Sequence, residues 1–106
     1  MDLEWFKDTL KDELCGGKEY IKCAIETKMS NPNWSSTFLK MGEMELDHAM
    51  SIYKMFMEHY QNIETKTKEV PEYIVELKHK MTECYTNGAT TIANLKKMHI
   101  IKCKKE

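Results

Sequence analysis

The sequence predicts an all-α fold, an up-down-up antiparallel bundle of three helices, from three observations. Apolar residues recur at alternating steps of three and four, the spacing of one helix face, along most of the chain. The only two prolines, Pro32 and Pro71, each follow a polar stretch at which a helix could begin. No segment alternates apolar and polar residues with β-branched enrichment, so strands are not expected. The 106 residues suffice for one domain with a modest core.

The first helix is predicted over about residues 3–29. Glu13 is the single charge in its apolar stripe. Gly16 and Gly17 follow in mid-helix, where each costs about 1 kcal/mol relative to alanine. This glycine pair indicates either a close approach of another helix or room for a bound group beside Glu13. The stripe consists of Leu3, Phe6, Leu10, Glu13, Gly17, Tyr20 and Ala24.

The second helix is predicted over about residues 32–62. Asn31 is a suitable N-cap, and Pro32 suits the first helical position because it has no amide hydrogen to lose there. Three ionisable residues interrupt the apolar stripe of this helix. The stripe consists of Trp34, Phe38, Met41, Glu45, His48, Ile52, Met55 and His59.

The third helix is predicted to begin at Pro71, after a polar loop, and to run to about residue 102. Its stripe carries no charge. Glu76 and His79 have the spacing of Glu45 and His48, but they flank Leu77 and are expected to face solvent or a partner, which makes them weaker ligand candidates. The stripe consists of Ile74, Leu77, Met81, Cys84, Gly88, Thr91, Leu95 and Met98.

The charged residues of the first two stripes predict a metal site. A turn near residues 29–31 would set Glu13 level with Glu45 and His48, within about one helical turn, with all three pointing into the core. Glu45 and His48 are three residues apart and therefore share a helix face. One carboxylate plus a Glu-x-x-His pair is half of a di-iron or di-manganese carboxylate site. Oxygen and imidazole donors suit iron and manganese.

A metal-free interpretation of the same residues is a buried ion pair between Glu13 and His48 that fixes the helix register. In that interpretation Glu45 is a surplus carboxylate, which needs a raised pKa or access to water. Tyr20, one heptad from Glu13, is either a core aromatic or a second-shell donor to a ligand carboxylate. His59 is either a core or interface histidine or part of that second shell.

These motifs resemble those of the ferritin-like superfamily, and within it the small rubrerythrin-type members that lack a rubredoxin domain. The similarity covers about residues 10–50. The residues that carry it are Glu13-Leu14, Gly17, Glu19-Tyr20 and Ala24, then Asn31-Pro32, Phe38 and Glu45-x-x-His48-Ala49.

The resemblance implies a non-haem di-iron centre, or a di-manganese one. Glu13 would be a terminal ligand, Glu45 a bridging carboxylate and His48 the nitrogen ligand. It implies Fe(II) oxidation, iron storage or peroxide detoxification, with an external electron donor if the protein undergoes redox cycling. Family members with four helices supply a further Glu and a second Glu-x-x-His, which three helices lack. A two-fold homodimer would restore the full ligand count.

Composition narrows the alternatives. The net charge of -1, with charges spread along the chain, argues against a nucleic-acid-binding surface. The acidic N-terminal segment does not resemble a targeting peptide, and no apolar stretch is long enough for a membrane span, so a cytoplasmic protein is expected. Four cysteines without a C-x-x-C pair exclude rubredoxin-like and zinc-knuckle sites, and they are expected to be reduced.

Two other function classes stay open at this point. The first is a metal-free structural or assembly protein that keeps the ferritin-like frame, such as one encoded by a phage or other mobile element. The second is a helical regulator of a nucleic-acid enzyme. Only the basic C-terminal residues Lys102, Lys104 and Lys105 support it.

Overall fold

Three long helices make up the described part of the chain, as predicted. The computed structural model describes residues 2–67 and 69–104, with side chains as far as residue 101 except residue 68. Helix α1 spans Glu4–Thr27, α2 spans Pro32–Lys66 and α3 spans Glu72–Lys104. The bundle is elongated, with extents of 59 × 22 × 16 Å. The all-α three-helix architecture is therefore confirmed. The C-terminal lysine side chains lie outside the described residues.

The helix starts follow from local chemistry. The Asn31 side chain accepts a hydrogen bond from the amide of Trp34 at 3.2 Å, and Pro32 occupies the first turn of α2. This is the N-cap arrangement that the sequence predicted. Pro71, predicted as the first residue of the third helix, instead precedes α3, and its carbonyl accepts from the amides of Ile74 and Val75. Helix α2 continues to Lys66, beyond the predicted end at residue 62.

The core lies along α1, which packs against both other helices, whereas α2 and α3 contact each other least. Leu14 of α1 contacts α3 at Gly88, and Gly17 of α1 contacts α2 at Gly42. The pairs Ala24–Ser35 and Glu13–His48 run in opposite chain order, so α1 is antiparallel to α2. The pairs Leu14–Gly88 and Gly17–Ile92 run in the same order, so α1 is parallel to α3. The largest fully buried side chains are Leu10, Leu14, Ile21, Phe56, Met81 and Ile92.

The predicted stripe of α2 is displaced by about one residue from the residues that this helix buries. The predicted stripes of α1 and α3 are confirmed at most positions and are displaced at a few. Leu14 and Ile21 are buried on α1, while their neighbours Glu13 and Tyr20 are only half-buried. A three-four pattern fits two adjacent helix phases equally well, and the small residues that α2 buries gave a weak apolar signal. The buried stripe of α2 consists of Ser35, Gly42, Ala49, Phe56 and Tyr60.

This displacement corrects several expectations. His48 and His59 are exposed rather than in the core. Trp34, Met55 and Met98 are 62%, 46% and 53% exposed. The exposed α2 residues lie on one flank of that helix. Together with the adjoining flank of α1, they form a surface on the side of the α1–α2 pair away from α3. We call this surface the open face, and it comprises Glu13, Gly16, Tyr20, Trp34, Phe38, Met41, Glu45, His48, Ile52 and Met55.

Polar contacts fix α3 on the opposite side. Lys96 of α3 pairs with Glu43 of α2 at 3.7 Å, and the hydroxyls of Tyr53 and Thr82 are 2.9 Å apart. The Tyr53 ring stacks on that of Tyr85 with centroids 4.8 Å apart. Within the described chain, no helix has an apolar stretch long enough to cross a bilayer. The fold thus leaves one flank of the α1–α2 pair open, and the predicted metal ligands lie there.

Candidate metal centre

Glu13, Glu45 and His48 converge on the open face. One ligand atom from each residue lies within 4.8 Å of the other two. His48 Nδ1 is 3.4 Å from Glu13 Oε2 and 4.0 Å from Glu45 Oε1. The structure therefore brings together the three residues that the sequence predicted as ligands, at the edge of the core rather than in its centre.

Glycine brings the two backbones close enough for this convergence. A Cβ atom on Gly17 would lie 3.4 Å from the carbonyl oxygen of Gly42 and 2.9 Å from Cδ1 of Ile92. Gly17 and Gly42 are buried where α1 crosses α2. Ala or a larger residue at these positions would separate the helices. The close crossing sets Glu13 of α1 beside Glu45 and His48 of α2.

Gly16 has a different role from Gly17. Its added Cβ would meet only the Glu45 side chain, with Oε2 at 3.3 Å and the carboxyl carbon at 3.6 Å. The Glu45 carboxylate therefore lies directly against the backbone of α1. Close packing, the first interpretation of the glycine pair, therefore applies to Gly17. The space beside Gly16 is taken by the Glu45 carboxylate and not by a bound group.

The Glu13 carboxyl perturbs that of Glu45. As an acceptor for a proton on Glu45, Glu13 raises the pKa of Glu45; burial and the Glu13 charge raise it further, and His48 opposes these effects. Two adjacent acids favour a shared proton because both cannot ionise without repulsion. A cation between them would replace that proton. Metal binding at this site therefore competes with protonation.

One oxygen of the group is suited to a metal ion by its environment. Glu13 Oε2 is buried and has no hydrogen-bond partner, although His48 Nδ1 is nearby. A buried carboxylate oxygen without a partner is costly, and a cation would offset that cost. Two carboxylates and one imidazole are the donor set of iron and manganese sites. The residues present therefore fit such a metal.

The side chain of His48 is 55% exposed, whereas those of Glu13 and Glu45 are 26% and 25% exposed. Its ring is therefore accessible from the open face. Three donors from one chain are half of the ligand count that a di-metal carboxylate centre uses.

The proposed second-shell residues differ in position. The Tyr20 ring lies over Phe38 with centroids 6.5 Å apart, so it packs on the open face near the site. His59 is eleven residues along α2 from His48, a rise of about 16 Å. It lines a cleft of about 450 Å³ at the other end of the bundle, with Asp2 and Glu4. The structure therefore does not bring His59 to the metal ligands of its own chain.

Glu76 and His79 do not join the group either. Both are exposed on α3, while Leu77 between them is buried. This is the orientation that the sequence predicted for the pair. Among the described residues, the three-residue group on the open face is the cluster that could hold a metal ion.

Sequence reasoning missed a buried polar link at the turn between α1 and α2. Ser35 donates to the carbonyl of Ala24 at 2.6 Å, and His99 Nε2 lies 2.9 Å from the Ser35 hydroxyl. Because the Ser35 hydrogen is directed to Ala24, His99 is the donor in the second bond. One sequence signal could have indicated that His99 is buried, because it lies one heptad after Ile92. The predicted stripe of α3 instead contained Thr91 and Met98. This link joins α3 to the α1–α2 turn.

Comparison with known proteins shows the family of the chain. The family model for Rubrerythrin matches residues 4–104, which is almost the whole chain and includes all three helices. No curated protein and no solved structure matches the chain significantly. The matched region includes Glu13, Glu45 and His48 in the arrangement described above. The chain therefore belongs to the rubrerythrin family and is a ferritin-like domain.

Proposed function

We propose that this protein binds and oxidises Fe(II) at a non-haem di-iron centre that two copies of the chain complete across a two-fold axis. The observation that carries the proposal is the convergence of Glu13, Glu45 and His48 around a buried oxygen without a hydrogen-bond partner. Family membership supports a di-iron carboxylate function. Fe(II) oxidation of this kind would serve iron storage or peroxide detoxification. Manganese is the alternative metal.

The half-site argues for a second copy. Two chains would pool four glutamates and two histidines, the ligand count of a di-metal carboxylate centre. A two-fold axis brings the same surface of both chains together, so a site on the axis receives equal contributions. His48 is exposed and directed outward, as a ligand shared across an interface would be.

The open face has the composition of a protein interface. Trp34 and Met55 are exposed on it, and Trp34, Thr37 and Phe38 line an apolar hollow of about 290 Å³. Aromatic residues and methionine are enriched in interfaces. Pairing two such faces would give a four-helix arrangement around the metal site, in which α1 and α2 of each copy take part.

The residues of the chain have distinct tasks in this proposal. Iron would supply the electrons for the reduction of oxygen or peroxide. Glu13 and Glu45 would neutralise its charge, and His48 would provide the nitrogen donor. Glu45, which holds a proton more strongly than an ordinary carboxylic acid, would release it when iron binds. Tyr20 and Phe38 would limit the access of water to one side of the site.

Metal binding is the direct test. Anaerobic titration of the full chain with Fe(II), followed by metal analysis after desalting, should give about one iron per chain. Glu45→Ala and His48→Ala should each abolish tight binding. Glu19→Ala is the matched control, because Glu19 lies on α1 with a largely exposed side chain. Metal-free wild-type protein after this titration would overturn the proposal.

The dimer has its own test. Met55 and Met50 lie on α2 with exposures of 46% and 49%, but Met55 is one heptad from His48 on the open face, and Met50 is on another flank. Met55→Glu should convert the dimer to a monomer in sedimentation velocity and weaken iron binding. Met50→Glu should leave both unchanged. A wild-type protein that binds iron as a monomer would contradict the proposal of a shared site but not the proposal of iron binding.

A further inference from the structure

The α2 residues of the open face are spaced symmetrically about the candidate metal ligands. Phe38 lies seven residues before Glu45, and Met55 lies seven residues after His48. At a rise of 1.5 Å per residue, each of these intervals is about 10 Å long. The two ends of the open face on α2 are therefore at equal distances from the site.

These two ends have complementary shapes. At one end, Trp34, Thr37 and Phe38 line an apolar hollow of about 290 Å³. At the other end, Met55 is an apolar side chain that is 46% exposed. Methionine is unbranched and flexible, so it fits irregular apolar gaps. Thr37 and Met55 are about 27 Å apart along α2, so Met55 cannot fill the hollow of its own chain.

We infer that a second copy of the chain docks on the open face in an antiparallel orientation, with Met55 of the partner subunit in the apolar hollow. The two-fold axis then runs across the helices, between the two open faces, and passes between Glu45 and His48 of α2. This inference rests on the proposed dimer and adds its orientation and the contact that specifies it.

The contacts follow from the rotation. A two-fold axis across the helices reverses one copy end for end, so α2 of one copy lies antiparallel to α2 of the other. Phe38 then faces the partner subunit's Met55, and Glu45 faces the partner subunit's His48 because their distances from the axis are equal. The carboxylates and imidazoles of the two half-sites thus alternate across the axis. The contact of methionine with the hollow occurs twice, once on each side of the metal site.

A two-fold axis along the helices would also bring two half-sites together. It would keep every residue at the height of the same residue in the partner. Each hollow would then lie level with the other hollow, about 27 Å from both Met55 side chains. The antiparallel orientation is favoured because it fills both hollows and removes both methionine side chains from water.

Disulfide trapping tests the orientation. The full chain carrying both Thr37→Cys and Met55→Cys is oxidised in a glutathione redox buffer, once with a chelator and once with Mn(II), so that iron chemistry plays no part. We expect a covalent dimer in which peptide mapping finds position 37 of one chain joined to position 55 of the other. These positions are too far apart in one chain to be joined within it, so this link reports the partner.

The control variant carries Thr37→Cys and Met50→Cys. Met50 is also exposed, but it lies on another flank of α2, so less than about a tenth as much linked dimer is expected. The natural cysteines are the same in both variants, which cancels their contribution. Links of 37 to 37 or 55 to 55, or no link in a protein that sediments as a dimer, would overturn the orientation and leave the shared metal site standing. A monomer under both conditions would overturn the orientation together with the shared site, whereas Fe(II) titration tests iron binding separately.

A charge exchange provides a second measurement without new cysteines. Thr37→Lys alone and Met55→Glu alone should each weaken the dimer in sedimentation velocity. Combined in one chain, they place an ammonium group opposite the partner's carboxylate, so the double variant should dimerise roughly tenfold more tightly than Met55→Glu alone. High salt should reduce this gain. A double variant that dissociates as readily as Met55→Glu would show that positions 37 and 55 do not meet.

Discussion

At the scale of single residues, the proton on Glu45 determines how the site responds to pH. The pKa of Glu45 is raised from its ordinary value of 4.5. Folding without metal therefore favours the protonated form, and this contribution to stability is lost as pH rises through the folded-state pKa. Metal binding needs the deprotonated form and follows the opposite trend.

Glu45→Gln should therefore have opposite effects on the metal-free and metal-loaded proteins. At neutral pH the metal-free variant should be at least as stable as wild type, because the repulsion between Glu13 and Glu45 is gone. Stabilisation by Mn(II) should disappear. Thermal melts from pH 4 to 8, with and without metal, provide the measurement. A variant that keeps the wild-type dependence on pH would show that another group titrates.

Gly16 offers a second test at this scale. Gly16→Ala should stabilise α1 by up to about 1 kcal/mol, because alanine is the better helix former. The new methyl group would press on the Glu45 carboxylate, which lies 3.3 Å from the position of that Cβ. Metal affinity should fall by about tenfold or more, as it does when groups that orient ligands are changed. Calorimetric titration and urea unfolding measure the two effects separately.

If both stability and affinity fell in Gly16→Ala, the glycine would be a packing residue like Gly17. If neither stability nor metal affinity changed, the Glu45 carboxylate would have moved away from the new methyl group without a cost in free energy. Only the combination of higher stability and weaker binding identifies Gly16 as a residue that positions Glu45.

At the scale of helices, the crossing of α1 and α2 depends on small residues. A Cβ on Gly42 would overlap Cδ1 of Ile21, which is fully buried, and would lie 3.2 Å from the carbonyl oxygen of Gly17. Neither neighbour can move freely, unlike the carboxylate beside Gly16. The same substitution is therefore expected to act differently at the two glycines.

Gly42→Ala should destabilise the protein by about 1–3 kcal/mol, the usual cost of overpacking, despite the better helix propensity of alanine. Urea unfolding at neutral pH measures this change, and Gly16→Ala is the matched control. A stabilised Gly42→Ala variant would mean that α1 and α2 separate with little cost. The metal site would then not depend on their close approach.

At the scale of the whole molecule, folding and metal binding should be coupled. Ligands from α1 and α2 meet only when the two helices are packed, so metal binds the folded chain and not the unfolded one. Metal at about 100 times its Kd should add about 2.7 kcal/mol to the free energy of unfolding. Differential scanning calorimetry at several protein concentrations measures this effect.

If two chains share the site, the melting temperature of the metal-loaded protein should also rise with protein concentration. A shift with metal but without dependence on concentration would indicate a site within one chain. His48→Ala should remove the metal-induced shift and leave the metal-free melting temperature nearly unchanged, because the His48 ring is largely exposed.

The sequence by itself determined the helices and singled out the three candidate metal ligands that the structure brings together. Helical periodicity and the Asn31-Pro32 N-cap are local features of the sequence, and the structure contains both. Glu13, Glu45 and His48 stood out because ionisable groups interrupted apolar stripes. The turn near residues 28–31 then required these residues to meet, since the lengths of the two helices fix their relative height.

Only the tertiary structure decided which flank of each helix is buried. The three-four pattern allowed two phases, and packing of α3 against Leu14 and Gly17 of α1 selected the one that leaves the candidate ligands at the edge. Contacts between distant residues, such as Gly16 with Glu45 and Leu14 with Gly88, have no signal in local spacing. They arise because side-chain neighbours across helices depend on crossing geometry, which is set by the shape of the packed core.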